Sequence, residues 1–229
     1  MSGHRRVILS GSILDADFTI LGEQVKEAID SGLDMIHYDI IDGVFAPNIS
    51  FGINVVKSLE KIVKVSSEAH LMTIRPEIFI EQFAKLSSVE IIYFHYEVTN
   101  VHYRHISLIK SFGKKAGIAI NPSTDVRLLD NLLNELDAVL VLLVEPGFGG
   151  QKMMKSILNK VRYLAAIREK EKLDFKIAVD GGIKAHNVKE VVKAGADIVV
   201  VGSGIFKQSS ISRAVKELKQ NISNALSEN

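Results

Sequence analysis

Hydrophobic positions along the chain fall into two alternating textures. Short runs rich in Val, Ile and Leu occupy residues 7–13, 35–41, 66–72, 90–96, 116–121, 138–144, 176–180 and 197–202. Between them lie longer stretches with apolar residues at helical spacing, as at 21–31, 77–86, 106–112, 126–134, 156–171, 187–194 and 212–226. Residues 139–144 and 198–201 are apolar nearly throughout, as parallel strands under a cover of helices are, whereas a sheet with one solvated face would alternate. The pattern predicts an α/β chain of eight strand–helix units of about 29 residues each. That length fits a (β/α)8 TIM barrel better than an open doubly wound sheet, although periodicity alone leaves both open. No Pro/Gly/Ser-rich linker interrupts the alternation, so one domain over residues 1–229 is expected.

With 47% hydrophobic and 24% charged positions, the chain has the make-up of a globular protein with a large core rather than a disordered one. Its net charge is +1 and no long basic tract is present, which argues against a nucleic-acid partner. Without cysteine there is no disulfide, no thiolate nucleophile and no Cys-ligated metal, so any metal must rest on His, Asp and Glu. Residues 1–6 are polar and lead into only one short apolar run, unlike a signal peptide or a membrane span. A cytoplasmic protein with no membrane partner is expected.

Polar residues inside or ending the apolar runs carry the candidate chemistry, because barrel enzymes act at the C-terminal ends of their strands. His37 and Asp39 are two apart and share one face of a strand, with Ile36, Tyr38 and Ile40 on the other. His70 stands near the end of the third strand and Asp180 at the end of the seventh. A lone strand histidine is more often a hydrogen-bonded core or rim residue than a ligand. Four such residues at one rim, however, make an N/O donor set suited to Zn, Mn, Fe or Co. His95 ends the fourth strand and is a candidate for the pocket rim, a bland placement being favoured. His102, His105 and His186 are expected on solvated surface and His4 in a frayed terminus, while Glu97 and Glu145 are expected to bond to loops.

Glycine supplies the next signal. Pro146-Gly147-Phe148-Gly149-Gly150-Gln151 follows the sixth strand, Gly181-Gly182 the seventh and Gly202-Ser203-Gly204 the eighth. Turns after strands usually need glycine for positive φ alone, but backbone N–H groups in the loops after strands 7 and 8 are also where barrels hold phosphate. Neither a Walker A nor a dinucleotide fingerprint is present.

The stretches Ser12-Ile13-Leu14-x-Ala16-Asp17-Phe18, His37-x-Asp39-x-x-Asp42-Gly43-x-Phe45-x-Pro47-Asn48, His70-Leu71-Met72, Val144-Glu145-Pro146-Gly147-Phe148-Gly149-Gly150-Gln151, Val179-Asp180-Gly181-Gly182 and Gly202-Ser203 resemble the ribulose-phosphate 3-epimerase family. The likeness runs from Ser12 to Phe206. It implies a (β/α)8 barrel and one divalent metal ion per chain, zinc first and Fe, Mn or Co as alternatives. The metal would be held by His37, Asp39, His70 and Asp180, with the two aspartates doubling as acid and base. It further implies that Ser12 and Met72 touch the sugar and that Gly149, Gly150, Gly182, Gly202 and Ser203 surround its phosphate. The implied reaction is inversion of C3 of D-ribulose 5-phosphate to D-xylulose 5-phosphate by a homo-oligomeric enzyme of carbohydrate metabolism. The chain departs from the family pattern near the substrate, with Ile41 and Leu142-Leu143 where methionines or a Met-Thr pair are usual and Gly11 in place of proline.

Those departures keep open a six-carbon ketose phosphate such as D-allulose 6-phosphate as substrate. An aldolase or decarboxylase would call for a lysine at a strand end, and only Lys184, beyond Gly182, comes near. A non-catalytic sugar-phosphate-binding barrel is the reading from another class, and the intact His37, Asp39, His70 and Asp180 set argues against it.

Overall fold

All eight apolar runs become parallel strands of one closed barrel in the computed structural model, which describes residues 6–228; His4 lies outside them. The strands are β1 (Ile8–Ser12), β2 (Met35–Ile41), β3 (Ser67–Met72), β4 (Val89–His95), β5 (Lys115–Ile120), β6 (Ala138–Leu142), β7 (Lys176–Asp180) and β8 (Ile198–Val201). They pair in chain order, and β1 closes on β8 in the register Ile8↔Ile198 to Gly11↔Val201. Closure removes every exposed edge. The (β/α)8 architecture is therefore the one formed, and the doubly wound alternative is not.

Helices α1 (Leu21–Asp30), α2 (Ile53–Glu60), α3 (Pro76–Ala84), α4 (His102–Ser111), α5 (Leu158–Glu171), α6 (Val188–Ala194), α7 (Ser203–Phe206) and α8 (Ile211–Ser227) connect and cover the strands. In α8, Ile211, Val215, Leu218, Ile222 and Ala225 recur at three- and four-residue spacing and are buried, and the Ser210 hydroxyl caps the first turn by accepting the Arg213 N–H. The helical pattern expected over 126–134 resolves into two 3-10 turns, Val126–Leu129 and Leu133–Glu135, so the β5–β6 unit has no α-helix. Asp125 accepts the Arg127 N–H and starts the first of these turns.

The barrel has two cores. Outward side chains of the strands, Tyr38 and Ile40 among them, pack with the helices. Inward side chains, Ile91, Tyr93, Ala119, Ala138, Leu140, Ala178 and Ile198, fill the lower interior. Gly117 leaves the room that the Tyr93 ring takes up, since a Cβ there would come 2.6 Å from Tyr93 Cε1. The inward faces of β2 and β3 carry His37, Asp39, Glu68 and His70 above this plug.

Candidate active site

Strand register builds the site. Ser12 on β1 pairs with His37 on β2, while His37 and Asp39 pair with Glu68 and His70 on β3. Inward side chains two residues apart on adjoining strands thus meet, although Ser10 and Glu68 are 58 residues apart in the chain.

His37 Nε2 lies 3.4 Å from His70 Nδ1, and Asp39 Oδ1 lies 3.2 Å from the first and 3.1 Å from the second. The surrounding network sets the tautomers. His95 donates Nδ1–H to Glu97 Oε2 at 2.9 Å, so its Nε2 accepts Nε2–H from His70 at 2.8 Å, which leaves His70 Nδ1 bare. His37 gives its Nδ1–H to Glu68 Oε1 at 2.9 Å, so its Nε2 also faces inward. Glu68 is held in turn by Ser10 Oγ at 2.8 Å and the Tyr93 hydroxyl at 3.0 Å. Three lone-pair-bearing atoms therefore converge at 3.1–3.4 Å, an arrangement that calls for a cation among them.

The donor set fits a metal. One donor atom each from His37, Asp39, His70 and Asp180 all lie within 4.8 Å of one another. For bonds of about 2.0–2.1 Å, a tetrahedral edge is about 3.4 Å, close to the separations of the inner three.

The charges follow the same geometry. Burial opposes the charge on Asp39, but His37 and His70 outweigh it and hold its carboxyl well below the usual carboxylate range. Burial likewise opposes a charged His37, and the Asp39 and Glu68 carboxylates overcome it, raising its pKa so that a proton can take the cation's place. Burial carries His70 down to about 3 against the pull of Asp39. For Asp180, burial and then the charge of Asp39 push the carboxyl up to about 7. The two aspartates thus differ sharply when only protein groups surround them.

Above this cluster opens a cleft lined by Ser12, Asp39, Met72, Gly149, Gly150, Asp180, Gly182, Gly202 and Ser203. Ser12 donates its hydroxyl to Asp39 Oδ2 at 2.5 Å. Gly182 has φ +66°, and a Cβ there would stand 2.8 Å from the Gln151 carbonyl oxygen, so glycine is required where the β6 and β7 loops meet. Asn48 ties the β2 loop to the same region by donating to the Gly147 carbonyl at 2.7 Å, and Asp42 accepts the N–H groups of Val44, Phe45 and Ile74. Of the departures noted in the sequence, only Leu142 faces the cleft. Ile41 packs behind Met72 with Ala46, and Leu143 belongs to the outer core.

Some expectations are corrected. His37, His70 and His95 are fully buried rather than at an open rim, and His95 supports His70 from behind, stacked against it with ring centroids 5.0 Å apart. His105, expected on the surface, is buried against Phe94 because its α4 position faces the barrel. His102 is part-buried, stacked on Tyr96 at 4.3 Å, whereas His186 is exposed as expected. Glu97 bonds to the β5 loop through Asn121 N–H and Thr124, and burial notwithstanding, His95 and these donors hold its carboxyl down to about 2. Ser10, Glu68 and Tyr93 were not singled out in the sequence. A charged residue at an inward strand position, two before His70, was the available signal for Glu68.

Comparison with known proteins places the chain in one family. The ribulose-phosphate 3 epimerase family model matches residues 8–206. A ribulose-phosphate 3-epimerase of Buchnera aphidicola subsp. Baizongia pistaciae is 41% identical over 223 residues, covering 96% of this chain and 97% of that protein. One from Methanocaldococcus jannaschii is 39% identical over 212 residues, covering 93% and 89%. Among solved structures, orotidine 5'-phosphate decarboxylase from Pyrococcus horikoshii superposes with a TM-score of 0.68 at 17% identity, over 94% of this chain and 99% of that one, a likeness of fold alone.

Proposed function

The chain belongs to the ribulose-phosphate 3-epimerase family, and on that premise we propose that it interconverts D-ribulose 5-phosphate and D-xylulose 5-phosphate by inverting C3. The observation that carries the reading is the placement of two carboxylates, Asp39 and Asp180, in one cleft beside His37 and His70. Two carboxylates that reach one cleft from different strands can act as base and acid on a single carbon.

His37, Asp39, His70 and Asp180 would hold one divalent cation, and two imidazole nitrogens with two carboxylate oxygens suit zinc, with Mn, Fe and Co also compatible. When bound, the cation supplies Lewis-acid stabilisation of the negative charge that develops on the carbonyl and neighbouring hydroxyl oxygens of the substrate. One aspartate removes the C3 proton from one face of the sugar, giving an enediolate, and the other delivers a proton to the opposite face. They come from β2 and β7, three strands apart around the barrel by way of β8 and β1, so they approach the sugar from different sides. Ser12 orients Asp39 through Oδ2 and keeps Oδ1 toward the two imidazoles. Met72 and Leu142 give the sugar an apolar wall. Backbone N–H groups at Gly182, Gly202 and Ser203, with Gly149 and Gly150 facing them, take the phosphate.

The test is the reaction run in D2O with unmutated protein. Inverted product should carry one solvent deuterium at C3, and product that keeps its original hydrogen there rejects proton transfer by this pair. D-Allulose 6-phosphate is the comparison substrate, because Leu142 in the cleft wall is the departure that could admit a longer sugar.

A further inference from the structure

Asp15 has no part in the chemistry above, yet its side chain reaches into the same cleft from the loop after β1. A Cβ built on Gly202 would stand 2.7 Å from Asp15 Oδ2, and one built on Gly149 would collide with the whole carboxyl group. The Ser203 backbone N–H lies beside this carboxylate and favours its charged form. Asp15 therefore fills the space between the turn after β6 and the turn after β8, on one of the N–H donors assigned to the phosphate. Burial raises its pKa, Ser203 and Lys207 oppose the rise, Asp39 adds to it and Lys184 opposes it again.

A carboxylate set beside a backbone N–H and against glycine turns offers the cradle the same thing a phosphate oxygen would: a negative oxygen acceptor. Two anions cannot share that space or that donor. We propose that the Asp15 carboxylate is an internal competitor for the substrate's phosphate, seated in the cradle of the free enzyme, so that this residue sets the affinity for sugar phosphates. In the free state it satisfies Ser203 N–H and props the two turns apart; when substrate binds, the side chain turns out of the cradle. Its energetic effect falls on binding and not on proton transfer at C3, because the carboxylate touches the glycine turns rather than the metal cluster. The inference rests on the reading of these turns as the phosphate site.

The experiment compares unmutated protein with Asp15→Asn, which keeps the shape and removes the charge, and Asp15→Ser, which empties the cradle. The position is partly exposed to solvent, and neither change opens a hole in the core. KM for D-ribulose 5-phosphate and the inhibition constant of inorganic phosphate should fall together by about tenfold in Asp15→Ser, the scale of one relieved like-charge contact in a partly solvated site, with kcat moving less than KM. Asp15→Asn should show a smaller fall in the same direction, since the amide still occupies space. Inorganic phosphate that inhibits all three proteins equally would overturn the role of Asp15 while leaving the cradle in place. A rise of KM in both variants would also overturn it, because Asp15 would then be a favourable contact. Inorganic phosphate that inhibits none of the three, with KM unmoved, would overturn the phosphate site itself and this inference with it.

Discussion

His70 and His95 face each other through their Nε2 atoms at 2.8 Å, and this one contact decides which nitrogen of His70 looks into the site. Because Glu97 takes the Nδ1 proton of His95, His95 can only accept from His70, and the free lone pair of His70 ends up on Nδ1 beside Asp39 and His37. A residue behind the site thus governs the form of an imidazole proposed as a metal ligand.

His95→Ala should therefore weaken metal binding without abolishing it. The expected loss is about 10–100-fold in affinity, as for other partners that orient a ligand from behind. Competition with a chelator measures it, and activity should recover when metal is supplied in excess. Unchanged affinity would mean that His70 keeps its orientation by packing alone.

Glu68→Leu should act chiefly on stability. The substitution leaves the Nδ1–H of His37, the Ser10 hydroxyl and the Tyr93 hydroxyl without their shared acceptor in a fully buried place. Each buried donor left unpaired costs about 1–3 kcal/mol, so calorimetry should find a large fall in melting temperature together with weaker metal binding. Glu68→Gln, which retains one acceptor oxygen, should fall between the two proteins.

Metal affinity should rise with pH through neutrality. In the metal-free site Asp180 takes up a proton below about 7 and His37 holds one with its raised pKa, and both protons must leave before the cation enters. Apparent affinity should change by about tenfold per pH unit for each proton displaced, so the slope approaches two below about 7 and falls toward one above it, where only His37 still holds its proton. The same shift gives the stability sign for Asp180 alone. Its folded pKa lies above the ordinary 3.8, so the native state binds the extra proton and the metal-free protein is destabilised as pH rises from about 4 to about 7. Titration calorimetry at several pH values checks the affinity, and a pH-independent constant would contradict the assignment of Asp180 to the site.

Gly182→Ala should raise KM more than it lowers kcat. The position has φ +66° and a Cβ there would strike the backbone of the segment carrying Gln151 and Met153, so the β6 and β7 loops must separate and the phosphate donors move with them. Steady-state kinetics with a phosphorylated ketose separates the two constants. An unaltered KM would remove Gly182 from the phosphate site.

Much of the site was legible as local pattern. The two-residue period of a strand put His37 and Asp39 on one face without knowledge of the fold, and glycine at three strand ends marked the turns that now line one cleft. The apolar runs placed all eight strands to within a few residues, since parallel strands covered by helices leave few polar positions inside them. The helix expected over 126–134 failed because its apolar spacing is equally well met by two 3-10 turns, and spacing does not distinguish the tighter turn.

Barrel closure decided the rest. Glu68 meets His37 across 31 residues, and His95 meets His70 across 25, by strand register alone, and no local period records which strands become neighbours. The unequal acidity of Asp39 and Asp180 has the same origin. Both are the same residue type at strand positions of similar appearance, but one lies against two imidazoles and the other against a carboxylate charge in a water-poor interior. Acidity there is set by the neighbours and the medium, which exist only once the chain has folded. Asp15 follows the same rule, since in the sequence it was the unmarked position of a motif and in the fold it stands between two glycine turns that lie 134 and 187 residues further along the chain.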